Sequence, residues 1–134
     1  MANSGSDEQL FCIIRRKYVS ATPEERIRQN IVAYMIDNMH YPQNLISVEA
    51  RVMVGKLAKR YDIVVYDRNM KVWLLVECKQ SDVKLSQKVL SQILSYNMTL
   101  QAPYLLITNG ISNVCISVSD RRQLTSLPQY PAKE

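Results

Sequence analysis

Glycine is scarce: the chain has three in 134 residues, and none lies in the G-x-x-x-x-G-K-[ST] pattern that wraps a nucleotide phosphate. An ATP-driven motor is therefore not expected in this polypeptide. Cysteine is equally sparse, since Cys12, Cys78 and Cys115 are odd in number, lack C-x-x-C spacing and fall in apolar surroundings. They read as buried core residues of a protein from a reducing compartment. The single histidine, His40, stands in a loop beside Tyr41-Pro42, at no usual zinc spacing from the cysteines. A Cys-His hydrolase and a Cys-His zinc site are both disfavoured. No apolar run approaches the length of a bilayer span, and residues 1 to 9 are polar and acidic with no hydrophobic leader. The expectation is a cytoplasmic protein with no membrane partner.

What remains suits one domain over residues 1 to 134, with 1 to 9 and 128 to 134 as mobile tails and enough apolar residues, 47%, for a proper core. Basic residues outnumber acidic ones by 17 to 12, a net charge of +5. They bunch as Arg15-Arg16-Lys17, Arg26 with Arg28, Lys56 with Lys59-Arg60, Lys84 with Lys88, and Arg121-Arg122. Such a surface favours polyanions, although the same groups also solvate turns and helix faces.

The chemistry concentrates in Tyr61-Asp62-Ile63-Val64-Val65-Tyr66, a polar turn at Asp67-Arg68-Asn69, and Val72-Trp73-Leu74-Leu75-Val76-Glu77-Cys78-Lys79. The two apolar runs predict an antiparallel hairpin that brings Asp62 beside Glu77. Strand alternation puts Trp73, Leu75, Glu77 and Lys79 on one face and Cys78 on the other. Charges at the end of a strand buried on both sides are seldom placed there without a task, whereas a surface Glu-Lys pair would be the plain alternative. Asp62 and Glu77 are the hard oxygen ligands that Mg2+ takes, and Lys79 could orient a water or stabilise a pentavalent phosphorane. Phosphodiester hydrolysis is the implied reaction.

Residues 84 to 101 carry apolar side chains at 85, 89, 93 and at 90, 94, 98, the spacing of an amphipathic helix. Lys88, Gln92 and Tyr96 form a stripe along one flank of it. Pro23 to Met39 predicts an earlier helix with Ile27, Ile31, Met35 and Ile36 inward. Its start reads as a capping box, with Thr22 as N-cap and Glu25 reaching back to the Thr22 amide. Leu10 to Val19 predicts a strand or extended arm, Leu45 to Val54 a strand, Gly55 to Arg60 a basic turn, Tyr104 to Thr108 and Asn113 to Val118 the last strands, joined at Asn109-Gly110. The order α-β-β-β-α-β-β describes an α/β fold with a mixed central sheet flanked by helices, because the second helix permits a crossover.

Taken jointly, Thr22-Pro23-Glu24-Glu25-Arg26-Ile27-Arg28-Gln29, Asp62, Glu77-Cys78-Lys79, Gln92-x-x-x-Tyr96 and Leu106-Ile107-Thr108-Asn109-Gly110 resemble the N-terminal nuclease domain of type I restriction enzyme R subunits. These belong to the PD-(D/E)xK superfamily, and the Gln-Tyr pair matches its RecB-like branch. The resemblance covers roughly residues 11 to 118, with Tyr61 in place of the proline of the name motif. It implies a restriction-endonuclease-like fold and a Mg-dependent deoxyribonuclease, an endonuclease ahead of an exonuclease, in which Mn2+ can substitute. Asp62 and Glu77, joined by the Cys78 carbonyl, are the implied metal ligands, Lys79 the catalytic lysine, and Glu25, ahead of Glu24, the acidic residue of the first helix. Gln92, Tyr96, Lys88, Lys56, Lys59 and Arg60 are the expected substrate contacts. DNA is the implied partner, with a helicase-type ATPase motor, another restriction subunit or a second copy of the chain as further candidates. A noncatalytic nucleic-acid-binding or docking module of the same fold is the alternative.

Overall fold

The computed structural model describes residues 8–97 and 102–132, without the side chains of Val54 and Tyr96. In chain order the described elements are β1 (Gln9–Cys12), β2 (Lys17–Ser20), α1 (Pro23–Asp37), a 3-10 turn (Gln43–Leu45), β3 (Ile46–Val54), β4 (Leu57–Tyr66), β5 (Val72–Cys78), α2 (Gln87–Asn97), β6 (Tyr104–Thr108), β7 (Asn113–Ser117) and β8 (Arg122–Leu124). Strands β3 to β8 form one six-stranded sheet in sequential order, and β1 with β2 forms a separate two-stranded sheet. The pair β5–β6 is parallel and the other described pairs are antiparallel. A parallel step between consecutive strands needs a crossover, which α2 supplies. The mixed sheet with flanking helices is thus the architecture expected.

Two apolar layers form on opposite faces of this sheet. Val32 and Met35 of α1 pack with Ile63, Val65, Leu74, Val76 and Leu106, whereas Ile93 and Leu94 of α2 pack with Tyr61, Val64, Leu75, Leu105 and Ile107. Burial on both sides explains why β4 and β5 read as nearly unbroken apolar runs.

Several local expectations change. Gly55 to Arg60 is not a basic turn: β3 and β4 extend to a tight turn at Gly55-Lys56, pairing Val54 with Leu57, Val52 with Lys59 and Arg51 with Arg60. Ladder hydrogen bonds from a long partner strand outweigh the weak strand preference of lysine and arginine. Leu10 to Val19 folds back on itself as the β1–β2 hairpin, and β8 adds an unforeseen edge strand. Helix α2 begins at Gln87 rather than residue 84, with Ser86 Oγ accepting from the Val89 amide at 3.3 Å, and residues 98–101 lie outside the described residues. The buried stripe of α1 is Glu25, Arg28, Val32 and Met35, while Ile27, Ile31 and Ile36 are only half-buried.

Trp73 packs on the α1 side instead of the Glu77 face, because the β4–β5 register shifts at Val65/Tyr66. There it meets Tyr41, Tyr104 and Tyr130 edge to face at 5.1 to 5.4 Å, and Tyr41 and Tyr130 meet each other tilted at 5.8 Å. The same cluster holds Pro128 and Tyr130, part of the expected tail, against the core: the Tyr41 hydroxyl donates to the Pro128 carbonyl at 2.5 Å and the Tyr130 hydroxyl to the Tyr66 carbonyl at 2.6 Å. Residues 1–7, 133 and 134 of the two expected tails are outside the described residues. Gly110 is required where it stands. Its φ is +86°, a conformation that strains any L side chain, and a Cβ there would lie 2.7 Å from Ile27 Cδ1 and have to push the end of that side chain aside.

Candidate active site

The antiparallel β4–β5 register ends at Ile63↔Val76, and just beyond it the Asp62 carboxylate takes the amide of Cys78, the residue after Glu77, at 2.7 Å, which sets Asp62 beside this end of β5 as the hairpin reading expects. Opposite Asp62 on its other side, the β3–β4 ladder skips Glu49, whose φ of 54° is left-handed. An isolated non-glycine residue in that region stores backbone strain and re-aims its neighbours. Here it turns Tyr61 toward the α2 layer and Ile63 toward the α1 layer, although they are two residues apart on one strand.

Both carboxylates are engaged. Asp62 Oδ2 accepts from the Cys78 amide at 2.7 Å, and Oδ1 accepts from Arg28 Nη1 at 2.8 Å. Glu77 Oε1 accepts from Lys59 Nζ at 2.6 Å and from Asn97 Nδ2 at 3.0 Å, while Lys79 Nζ lies 3.7 Å from Oε2. Asn97 in turn accepts from the Tyr61 hydroxyl and donates to the Ile93 carbonyl at 2.8 Å. Tyr61, which replaces the proline of the resemblance, therefore anchors the amide that steadies Glu77. Lys79 follows directly after β5 and is held most loosely of these cations, which leaves it able to swing toward a phosphate.

On α1, Glu25 is buried beneath the same cluster. Its Oε1 accepts from Arg28 Nη2 at 2.7 Å, and its Oε2 from Arg15 Nη2 at 2.5 Å and Gln29 Nε2 at 2.9 Å. Half of the capping box is present, since the Glu25 amide donates to Thr22 Oγ1 at 3.1 Å. The other half is not: the Glu25 carboxylate serves the arginines, which as charged donors bind it more strongly than one backbone amide. Burial works against its charged form, yet the hydrogen bonds from Arg15, Arg28 and Gln29 outweigh that and hold the carboxyl below its ordinary 4.5. The folded state then binds fewer protons than the unfolded state just below pH 4.5, so stability rises with pH there and is lost as pH falls through the lowered value. Thermal unfolding followed from about pH 6 to about pH 3 should steepen in that window, and Glu25→Gln should flatten it. Superimposable pH dependences would remove Glu25 as the linked group.

Burial first, and then the nearby Asp62 charge, push the Cys78 thiol up to about 12, so it carries no thiolate at neutral pH and is no nucleophile. Among the described residues no group of three or more His, Cys, Asp or Glu converges as a metal cage. Mg2+ does not need one, because it is often held by one or two carboxylates, with water and phosphate completing its octahedron. Asp62 and Glu77 fit that requirement as adjacent hard donors, and Arg28 and Lys59 now neutralise the oxygens such an ion would take. The full set is electrically balanced, with Arg15, Arg28, Lys59 and Lys79 against Glu25, Glu49, Asp62 and Glu77.

The sequence-derived site residues thus divide. Asp62, Glu77, Lys79 and, through Arg28, Glu25 come together. Lys59, expected on phosphate, lies instead on Glu77, with its ammonium 4.5 Å over the Tyr61 ring. Lys56, Arg60, Lys88 and Gln92 are exposed, and the Tyr96 side chain lies outside the described residues. Arg15, Arg28 and Asn97 were missed. One had a legible signal: Asn97 continues the apolar series 85, 89, 93 as a polar residue at a core position, whereas Arg28 lies off the Ile27, Ile31, Met35 face read from the sequence and joins the buried stripe only in the fold.

A family model described as the type I restriction enzyme R protein N terminus matches residues 23–131, which takes in every residue of this cluster except Arg15. None of the curated proteins matches the chain. Among solved structures, a chain described as a fragment of an HsdR subunit of a type I restriction enzyme from Vibrio vulnificus YJ016 aligns at a TM-score of 0.57 and 17% identity, over 83% of this chain and 24% of that one. That likeness shows the fold, a restriction-endonuclease-like one, and this chain spans about a quarter of that protein's length. No described helix is long and apolar enough to cross a membrane.

Proposed function

The chain belongs to the family of type I restriction enzyme R protein N termini, and on that premise we propose that it hydrolyses DNA phosphodiesters with the help of Mg2+, for which Mn2+ can substitute. The observation that carries this reading is the adjacency of Asp62 and Glu77, with Lys79 at 3.7 Å from Glu77, at the end of two paired core strands. Asp62, Glu77 and the Cys78 carbonyl would hold the ion, which supplies a water of lowered pKa and positive charge opposite the phosphate. Lys79 orients the attacking water or meets the developing charge on the phosphorane. Asn97 and Tyr61 keep Glu77 in place, and Arg28 does the same for Asp62. Glu25 acts through Arg28. Substrate reaches the centre over Lys56, Arg60, Lys88 and Gln92, and a helicase-type motor or another restriction subunit is the partner that would deliver it.

Incubating the purified chain with linear, circular and single-stranded DNA and with RNA, in Mg2+, Mn2+ or EDTA, tests this directly. Cleavage of DNA that EDTA abolishes is expected. Undiminished hydrolysis in EDTA would end the metal reading, and metal-independent binding with no cleavage would favour the noncatalytic docking module.

Binding should be mainly to the DNA backbone. Neutralising Lys56, Arg60 or Lys88 singly is expected to lower the slope of log K against log salt by about 0.9 for each duplex phosphate that is no longer neutralised. Lys59→Gln should leave that slope nearly unchanged and reduce cleavage instead, because its ammonium is committed to Glu77. A slope that falls equally for all four substitutions would place Lys59 on phosphate after all.

A further inference from the structure

We propose that the outward face of the β1–β2 hairpin is a stacking platform for an unpaired DNA base flanking the cleaved backbone, an inference that rests on the DNA reading above. Alternation along the two strands turns Leu10, Cys12 and Val19 toward the body and Phe11 and Tyr18 away from it. Phe11 and Tyr18 are direct cross-strand partners, and their rings meet edge to face with centroids 5.2 Å apart. Nevertheless Phe11 is 46% exposed, Tyr18 66%, and Ile13 at the turn 44%. The chain buries Tyr41, Tyr61 and Trp73, so two rings braced against each other in water form a local apolar patch with no use in the core.

Charge identifies the occupant. From Gln9 to Ser20 the hairpin carries Arg15, Arg16 and Lys17 and no acidic residue. Arg16 and Lys17 are exposed and enter no ion pair among the described residues. An exposed aromatic pair on a hairpin whose unpaired charges, Arg16 at the turn and Lys17 on the strand edge, are both positive complements a polyanion that carries flat π faces, and in nucleic acid those faces are available where bases are unpaired.

The platform is also held in register with the candidate active site. Arg15, at the hairpin turn, binds Glu25 at 2.5 Å and approaches Glu49 at 3.5 Å, while its backbone amide and Nε both lean on Cys12 Sγ at 3.3 Å. From Glu25 the contacts continue through Arg28 to Asp62. A base stacked on Tyr18 is thereby tied by one ion-pair chain to the carboxylate that faces the scissile phosphate. Because every base has a π face, the platform favours frayed ends and single-stranded flanks without sequence preference.

The test is equilibrium binding of the full chain, in Ca2+ and without Mg2+, to blunt duplexes and to duplexes with a single-stranded flank carrying 2-aminopurine at the first unpaired position. Flanked DNA is expected to bind about tenfold more tightly than blunt DNA and to quench 2-aminopurine. Phe11→Ala with Tyr18→Ala should cancel both effects and spare blunt-duplex affinity, whereas Tyr18→Trp should retain both. Phe11→Leu with Tyr18→Leu, which keeps apolar area without π faces, should behave as the alanine pair does. Equal binding of both DNAs by the parent, or a preference that survives loss of both rings, overturns the platform and leaves the DNA reading standing. Failure of the parent to bind either DNA overturns both.

Discussion

Asp62→Asn is expected to lower the Mg2+-dependent cleavage rate by about a thousandfold, the size of effect seen when one preorganised electrostatic group is lost from a catalytic centre. Asparagine keeps the shape of the side chain but gives up the charge that a divalent ion requires. It also turns an amide NH2 toward either the Cys78 amide or Arg28, both of which donate to the carboxylate now, at 2.7 and 2.8 Å. DNA affinity should hold or improve, since a negative charge facing phosphate disappears. Glu77→Gln is expected to follow the same pattern, and Lys79→Ala to lose rate while the affinity for Mn2+ stays intact. Single-turnover cleavage, Mn2+ titration calorimetry and DNA binding on each variant separate these roles. Parental cleavage by Asp62→Asn would exclude Asp62 as a ligand, and a loss of folding would make its carboxylate structural.

Arg28→Ala is expected to destabilise the fold by about 3 kcal/mol, the typical penalty for stranding a buried charge. Its guanidinium is the fork of the site, with Nη1 on Asp62 and Nη2 on Glu25, and the residue is 8% exposed. Without it Glu25 keeps Arg15 and Gln29 but loses the partner that joins α1 to β4. Arg28 Nε finds no acceptor among the described residues, so truncation also relieves one unsatisfied donor, which offsets part of the loss. Arg28→Lys should recover less than half of the stability, because a single ammonium cannot span two carboxylates in fixed geometry. Urea denaturation of both variants, combined with Glu25→Gln in a double-mutant cycle, measures the coupling. A change below about 1 kcal/mol in Arg28→Ala would show that the pair is solvated and structurally idle.

By itself the sequence determined what local periodicity and turn chemistry can carry. The alternation that puts Glu77 and Lys79 together, the apolar continuity of β4 and β5, the spacing of α2 and the Asp67 and Asn109 turns are all short-range properties. Asp67 Oδ1 accepts from the amides of Asn69 and Lys71, and Asn109 Oδ1 from those of Ile111 and Ser112, as the residue types require. Register in the β4–β5 hairpin then follows from its turn, because both faces of these strands are apolar and a slip would only trade one core layer for the other. Which charges neutralise which is settled by the closed fold. Lys59 looked like a turn cation until the β3–β4 ladder extended past it and carried its ammonium to Glu77. Trp73 changed layers at a register shift that no single strand encodes, and Glu49 took up a strained backbone to meet two arginines. Asn97 could be flagged as a polar residue on an apolar helical face, but its partners Glu77 and Tyr61, like the Asp62 partner of Arg28, lie on strands distant in sequence. Pairing energies between such groups depend on burial and on distances of a few ångströms, and these exist only once both helices have closed on the sheet.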